Sequence, residues 1–383
     1  MIIKVKIALV GPLSEIPGPA IGRWTTLVLK YHTLSGRRMQ YLDALFVKYV
    51  RVSPTEVGIN DPEAVKVIQK VAGGFKKSAW YDKTGPGMLG MRDSQKHSRR
   101  RQLLAHPLSN SSLSAYEPLV RAKVDLALDQ MEKEYRKLGY TDCYKWLNFM
   151  ANDIIGDLTF GSSFKMLEQG KTSQYVEDLQ AVMPTVHKRI ELAPFFDLMF
   201  LLPIPRIKKF LETFQRINRY GEESLRRLQL SQQAGSLNTP FFFEKIMNPK
   251  DKKNALSDLE MQQEAVELMI TGTETTSNTL TYLLWSVLKD PNIRIMLETE
   301  VATLPAAYEN ADLVKLPFLN AVVKEALRLY GAASGSHERE VPPGGWETCG
   351  HLIPDTATVF TQAFSLHRIP DIFINPYKYE KKT

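Results

Sequence analysis

Cysteine is scarce in this chain: Cys143 and Cys349 are the only two among 383 residues. Two cysteines so far apart supply neither a disulfide framework nor a Cys-rich metal site. They suit a reducing compartment, or the cytosolic side of a membrane. Long apolar runs are missing as well, since no stretch approaches the roughly 20 residues that cross a bilayer. Residues 1–10 alternate apolar side chains with Lys4 and Lys6, the pattern of neither a span nor a secretory signal. Residues 1–15 are therefore expected to form a leader without a full span, in a chain that is soluble or has lost an anchor. There is no internal repeat, no low-complexity tract and no clear linker, so a single domain over residues 16–383 is expected. The formal charge of +7 is scattered along the chain. A solvated basic surface explains it more simply than an acidic partner or an anionic membrane. With no recognition motif beside it, nucleic acid is not expected.

What is present is mostly helical periodicity. Amphipathic patterns run over residues 116–137, 146–158 and 207–229. Strand-like segments are few: 50–59 near the start, then 350–353 and 357–361 near the end. The fold class expected is mainly α with a small β-sheet assembled from both ends of the chain, entered through the stiff Ile16-Pro17-Gly18-Pro19.

The longest pattern begins at Ser257-x-x-Glu260, which has capping-box spacing. It runs through Ala265, Leu268, Met269, Leu280, Leu284 and Leu288 to a stop at Asp290-Pro291. That is about 32 helical residues, or roughly 48 Å. Its middle, Thr271-Gly272-Thr273-Glu274-Thr275-Thr276-Ser277, places glycine and hydroxyls where a helix favours Ala or Leu. Gly272 leaves room for a flat ligand to approach the backbone. Glu274 and the Thr275 hydroxyl could carry protons to a bound oxygen species. The plainer alternative is a helix crossing built on small residues, with a solvated glutamate. A phosphate loop is excluded, because no Gly-Lys-Ser/Thr follows.

Three further segments carry chemistry. Glu325-Ala326-Leu327-Arg328 puts an acid and a base three apart on one face of a helix over 317–330. Arg339-Glu340-Val341-Pro342-Pro343-Gly344-Gly345 is an extended stretch ending in a turn, whose arginine suits a carboxylate partner or else lies on an edge in solvent. In Lys96-His97-Ser98-Arg99-Arg100-Arg101, His97 and Arg101 share a helix face, as anion ligands or as part of a solvated basic face. Residues 80–89, rich in glycine and aromatics, would wall a substrate site. The apolar run 192–204 would be an access loop dipping into a membrane, or ordinary core.

Taken in order, these motifs resemble the cytochrome P450 family of haem-thiolate monooxygenases. Gly272, Glu274 and Thr275 match its oxygen-activation motif, although Thr271 departs from the small first residue. Lys324 to Tyr330 is very like its Glu-x-x-Arg helix. Arg339 matches its propionate-binding arginine, and His97-x-x-x-Arg101 is similar to its Trp-x-x-x-Arg. The likeness is collinear from about residue 16 to 379, in a style closest to filamentous-fungal members of natural-product pathways. The resemblance implies a b-type haem with propionates held by His97, Arg101 and Arg339. It implies proton delivery by Glu274 and Thr275 and a structural Glu325–Arg328 pair. It also implies dioxygen, a small apolar organic (secondary-metabolite) substrate, a flavoprotein reductase fed by NADPH, and residence on the endoplasmic reticulum membrane surface or, without a span, in the cytoplasm.

Two departures stand out. The glycine-flanked cysteine loop that ligates iron in the family is not found before Thr383, and neither Cys143 nor Cys349 sits in such a loop, so no metal ligand is assigned. Lys48-Tyr49-Val50-Arg51-Val52 lacks the family's usual Gly-Pro bend. An altered gene model, a splice variant or a decaying gene would leave such marks. The expected fold is thus a cytochrome P450 fold incomplete at the C-terminus. The competing reading is a truncated, catalytically inactive remnant with weak or no haem binding.

Overall fold

The computed structural model describes residues 9–46, 48–105, 107–199, 202, 204–234, 241–243, 255–348 and 350–380. Helices α1 (Leu27–Leu34) and α2 (Arg38–Leu45) lead into strands β1 (Tyr49–Arg51) and β2 (Glu56–Ile59). Helix α3 (Pro62–Ile68) and strand β3 (Lys76–Lys77) follow, and then the helical body: α4 (Ser94–Ala105), α5 (Asn110–Leu138), α6 (Cys143–Phe160), α7 (Met166–Gln169), α8 (Gln174–Glu191), α9 (Ala193–Met199), α10 (Pro205–Gln233) and α11 (Asp258–Lys289). The rest of the chain adds α12 (Pro291–Val301), α13 (Asn310–Leu313), α14 (Pro317–Tyr330), β4 (Ser336–Glu340), β5 (Trp346–Thr348), β6 (His351–Ile353), β7 (Thr358–Gln362) and α15 (Ala363–Leu366).

The long helix α11 spans 32 residues. Its capping box is complete: the Ser257 hydroxyl accepts from the Glu260 amide, and the Glu260 carboxylate accepts from the Ser257 amide. It packs most extensively on α6, another largely buried helix. Trp146, Phe149, Met150, Ile155 and Leu158 of α6 share one apolar core with Met261, Ala265 and Met269 of α11. Burial of that kind, at about 25 cal/mol per Å² of apolar surface, outweighs the weak helix propensity of the Thr-rich centre of α11.

The sheet is built from both ends of the chain, in the order β1-β2-β7-β4-β3. β2 pairs β7 in parallel, and the other ladders are antiparallel. The register sets Lys77 opposite Arg339 and His337 opposite Thr361. Residues 50–59 do not form one strand. They fold back as β1 and β2, around a turn in which the fully buried Arg51 donates to the carbonyls of Ser53, Pro54 and Leu13. Leu13 and Ile16 pack in the same core as Val57 and Val359. The extended arginine segment forms β4, which lies between β7 and β3, and the turn after it leads into the hairpin β5–β6. The fold is mainly helical with small sheets, as the resemblance implies.

Candidate active site

A cavity of about 520 Å³ lies between the middle of α11, the end of α14 and the segments that flank β4 and β7. Thr275, Thr276, Thr279 and Leu280 line one wall, and Leu327, Gly331 to Ser334, Ala363 and His367 line the other. The hydroxyls of Thr271, Thr275 and Thr279 stand one turn apart, and each donates back to a carbonyl in the preceding turn of α11. With its proton committed to the Thr271 carbonyl, Thr275 keeps oxygen lone pairs with which to accept a hydrogen bond.

Glu274 points elsewhere. Consecutive helix residues are separated by about 100°, and its carboxylate accepts from the Tyr144 hydroxyl at 3.0 Å, Gln180 Nε2 at 3.1 Å and Asn278 Nδ2 at 3.4 Å. The Tyr144 hydroxyl is pushed up to about 12, by burial first and then by the Glu274 charge. Gly272 faces α6: a Cβ there would stand 3.0 Å from Ile155 Cγ1, so the missing side chain serves the helix crossing.

The cationic candidates do come together. Arg339 on β4 donates to the Gln69 side-chain oxygen at 2.9 Å, to its neighbour's carbonyl at 3.0 Å and to the Tyr81 hydroxyl at 3.4 Å. Lys77, directly across the ladder, is held below the ordinary lysine value by burial and then by Arg339. His97 on α4 is held below the ordinary histidine value by burial, then by Lys77 and Arg101. Four bases thus share one rim, and Arg101 reaches it from an exposed position. Like charges depress one another, and at Lys77 the Glu267 carboxylate offsets this only in part. A ligand bearing carboxylates fits this rim.

Lys77 escaped the sequence reading, and Tyr81 was read only as part of the substrate wall over residues 80–89. A two-residue strand has no periodicity, and only its pairing with Arg339 gives Lys77 a role. Arg100 was missed too, inside a triple-arginine run. It is buried, and it bonds Glu260 at 2.6 Å and Glu264 at 2.9 Å. The i, i+4 acids of α11 were the available signal for it.

The Glu325–Arg328 pair is bidentate, with both bonds at 2.7 Å, and both residues are buried. Arg328 also donates to the carbonyls of His367, Pro376 and Lys378, while Glu325 accepts from the Glu380 amide. Cys143 opens α6 as a free, half-buried thiol, whereas Cys349 lies outside the described residues. Among the described residues no cluster of His, Cys, Asp and Glu could hold a metal ion. No described helix is long and apolar enough to cross a membrane.

The fold is mainly helical around one long central helix with a small sheet from both chain ends, and comparison with known proteins gives the family. Residues 17–382 match the family model Cytochrome P450. The chain is 38% identical over 374 residues to cytochrome P450 monooxygenase tazI of Aspergillus terreus, covering 96% of this chain and 76% of that protein. It is 35% identical over 378 residues to cytochrome P450 monooxygenase orf2 of Aspergillus niger, covering 96% and 77%. Averantin hydroxylase of Dothistroma septosporum is 30% identical over 379 residues, covering 96% and 71%. The chain belongs to the cytochrome P450 family of monooxygenases, which are oxidoreductases.

Proposed function

We propose that residues 16–383 act as one domain that binds a b-type haem between α11 and the β4 rim and oxidises a small apolar organic molecule of the natural-product kind. The observation that carries this is the cationic rim of Lys77, His97, Arg101 and Arg339, taken together with the cavity that Thr275 lines. His97, Arg101 and Arg339 would hold the haem carboxylates, with Lys77 and Tyr81 beside them. When bound, the haem would supply dioxygen activation, driven by electrons from an NADPH-fed flavoprotein reductase. Thr275 would accept a hydrogen bond in the cavity. Glu274, on the outer side of α11 with Tyr144 and Gln180 as its partners, would share in proton delivery with Thr275, and Gly272 would keep α11 close to α6. The name averantin hydroxylase supports hydroxylation as the oxidation, with a molecule like averantin as one candidate substrate. The exposed Leu198 and Leu202, with Trp24, Leu27 and Tyr31 on the N-terminal elements, offer apolar contacts to a membrane surface such as that of the endoplasmic reticulum.

The test is the reduced, carbon monoxide-difference spectrum of the purified chain after addition of haem. A Soret band at the red-shifted thiolate position supports oxygen activation by this chain. Folded protein without that band favours the alternative, an inactive remnant of the family with weak or no haem binding.

A further inference from the structure

Gln69 closes α3, where its backbone amide donates to the Val65 carbonyl at 2.9 Å and carries the helical bonding one residue further. Ile68 beside it is 1% exposed and packs in the same core as Val57, Val341 and Val359, so the end of the helix is pressed on the sheet. The register of β4 and β7 sets His337 opposite Thr361 and Arg339 opposite Val359. Alternate residues of a strand share a face, so Thr361 and Arg339 stand diagonally on one side of the sheet. The Gln69 side chain spans that diagonal: Nε2 donates to Thr361 Oγ1 at 2.9 Å, and Oε1 accepts from Arg339 Nη2 at 2.9 Å. The orientation is forced, because a guanidinium only donates. An amide turned over would set two donors against each other.

Gln69 is thus a neutral acceptor placed where a glutamate would close an ion pair. The other acceptors of Arg339, the Tyr81 hydroxyl and the Glu338 carbonyl, both lie on Nη1 and are neutral as well. Nε and the second hydrogen of Nη2 make no hydrogen bond among the described residues. Nε and Nη2 lie on one edge of the planar fork, and a carboxylate grips such an edge with two parallel bonds. We propose that Gln69 is the positioning residue of Arg339: anchored by Thr361, it fixes the guanidinium without neutralising it, and so makes the rim select a ligand that carries a carboxylate. This rests on the proposed function, in which Arg339 holds a haem carboxylate.

Binding of iron-free protoporphyrin to the purified full chain, set beside binding of its dimethyl ester, reads the role of the carboxylates alone. The wild-type chain is expected to prefer the free acid by roughly tenfold or more. Gln69→Glu keeps an acceptor on Arg339 and adds a charge, so free-acid binding should weaken roughly tenfold while ester binding stays within about twofold. The denaturant midpoint of ligand-free Gln69→Glu should hold or rise, because the ion pair then closes. Thr361→Val, which removes the anchor and keeps the branched shape, should lower the preference for the acid by a smaller factor, roughly threefold. Either variant with the wild-type preference overturns the proposal and leaves the proposed function standing, as does a Gln69→Glu midpoint that falls in step with affinity. A wild-type chain that binds acid and ester alike, or neither, overturns the rim's place in the proposed function and this proposal with it.

Discussion

Arg328 and Arg339 lie eleven positions apart on neighbouring elements, and the chain treats them in opposite ways. Arg328 spends all five of its donors: two on the Glu325 carboxylate and three on the carbonyls of His367, Pro376 and Lys378. Its charge is neutralised inside the fold, and its fork ties α14 to the segment 367–380. Arg339 has only neutral acceptors and faces two further bases, Lys77 and His337. A cation saturated by its own chain builds the fold. An arginine left with neutral partners, as Arg339 is, would gain a charged partner if an anion came from outside.

The sharpest way to break this contrast is to remove each arginine in turn. Arg328→Ala leaves the Glu325 carboxylate buried without its counter-charge, a change that costs about 3–5 kcal/mol, and the denaturant midpoint of the ligand-free chain should fall accordingly. Arg339→Gln removes a charge with no charged partner, so the same measurement should move by about 1 kcal/mol or less. Haem affinity should reverse the order: a charge-assisted hydrogen bond worth about 1.5–3 kcal/mol predicts a loss of roughly ten- to a hundredfold for Arg339→Gln in a haem titration. If Arg339→Gln unfolds the protein as Arg328→Ala does, the distinction between the two is lost.

Much of this architecture was legible in the sequence. Ser257, Glu260 and Asp290-Pro291 mark both ends of α11 because caps are local chemistry, and Glu325–Arg328 sits at a spacing that any helix brings together. The sheet from both ends followed from where the β-branched segments fall. The rim was half legible. His97, Arg101 and Arg339 were named, but Lys77 reaches Arg339 only through a ladder that joins residues 262 positions apart, and no local pattern encodes that pairing. The directions of side chains on α11 were not legible either. Glu274 and Thr275 are adjacent in sequence, yet they face different sides of the helix. Gly272 faces Ile155 because of how α11 is rotated against α6, which packing decides.

That rotation can be tested with a smaller expected effect. Gly272→Val would place branched carbons where even a Cβ stands 3.0 Å from Ile155. Overpacking of this kind costs about 1–3 kcal/mol. Pairing the change with Ile155→Ala should recover part of the loss in thermal unfolding. Absence of any recovery would mean that Gly272 is needed for something other than the α6 contact.

The smallest effect lies in the titration of His97, which separates the two arginine environments without removing either. Burial, then Lys77 and Arg101, keep the ring below its ordinary value. For a base lowered on folding, the unfolded chain binds the extra proton between the folded value and the ordinary one near 6.5. The stability tied to His97 is therefore complete above that pH and is lost as the pH falls through and below it. His337, lowered by burial and then by Arg339, adds to the same slope. A bound dicarboxylate reverses the local sign, because negative charge beside Lys77 and Arg339 stabilises the imidazolium. Iron-free protoporphyrin provides those carboxylates without paramagnetism, so the His97 ring can be followed by NMR through the titration. Its midpoint should rise on binding, while the thermal stability of the complex should depend less on acid than that of the free chain. A midpoint that stays put with porphyrin bound would place the carboxylates away from α4 and reduce the rim to Arg339 and Lys77. The Glu325–Arg328 pair, already closed on itself, should not respond in either state.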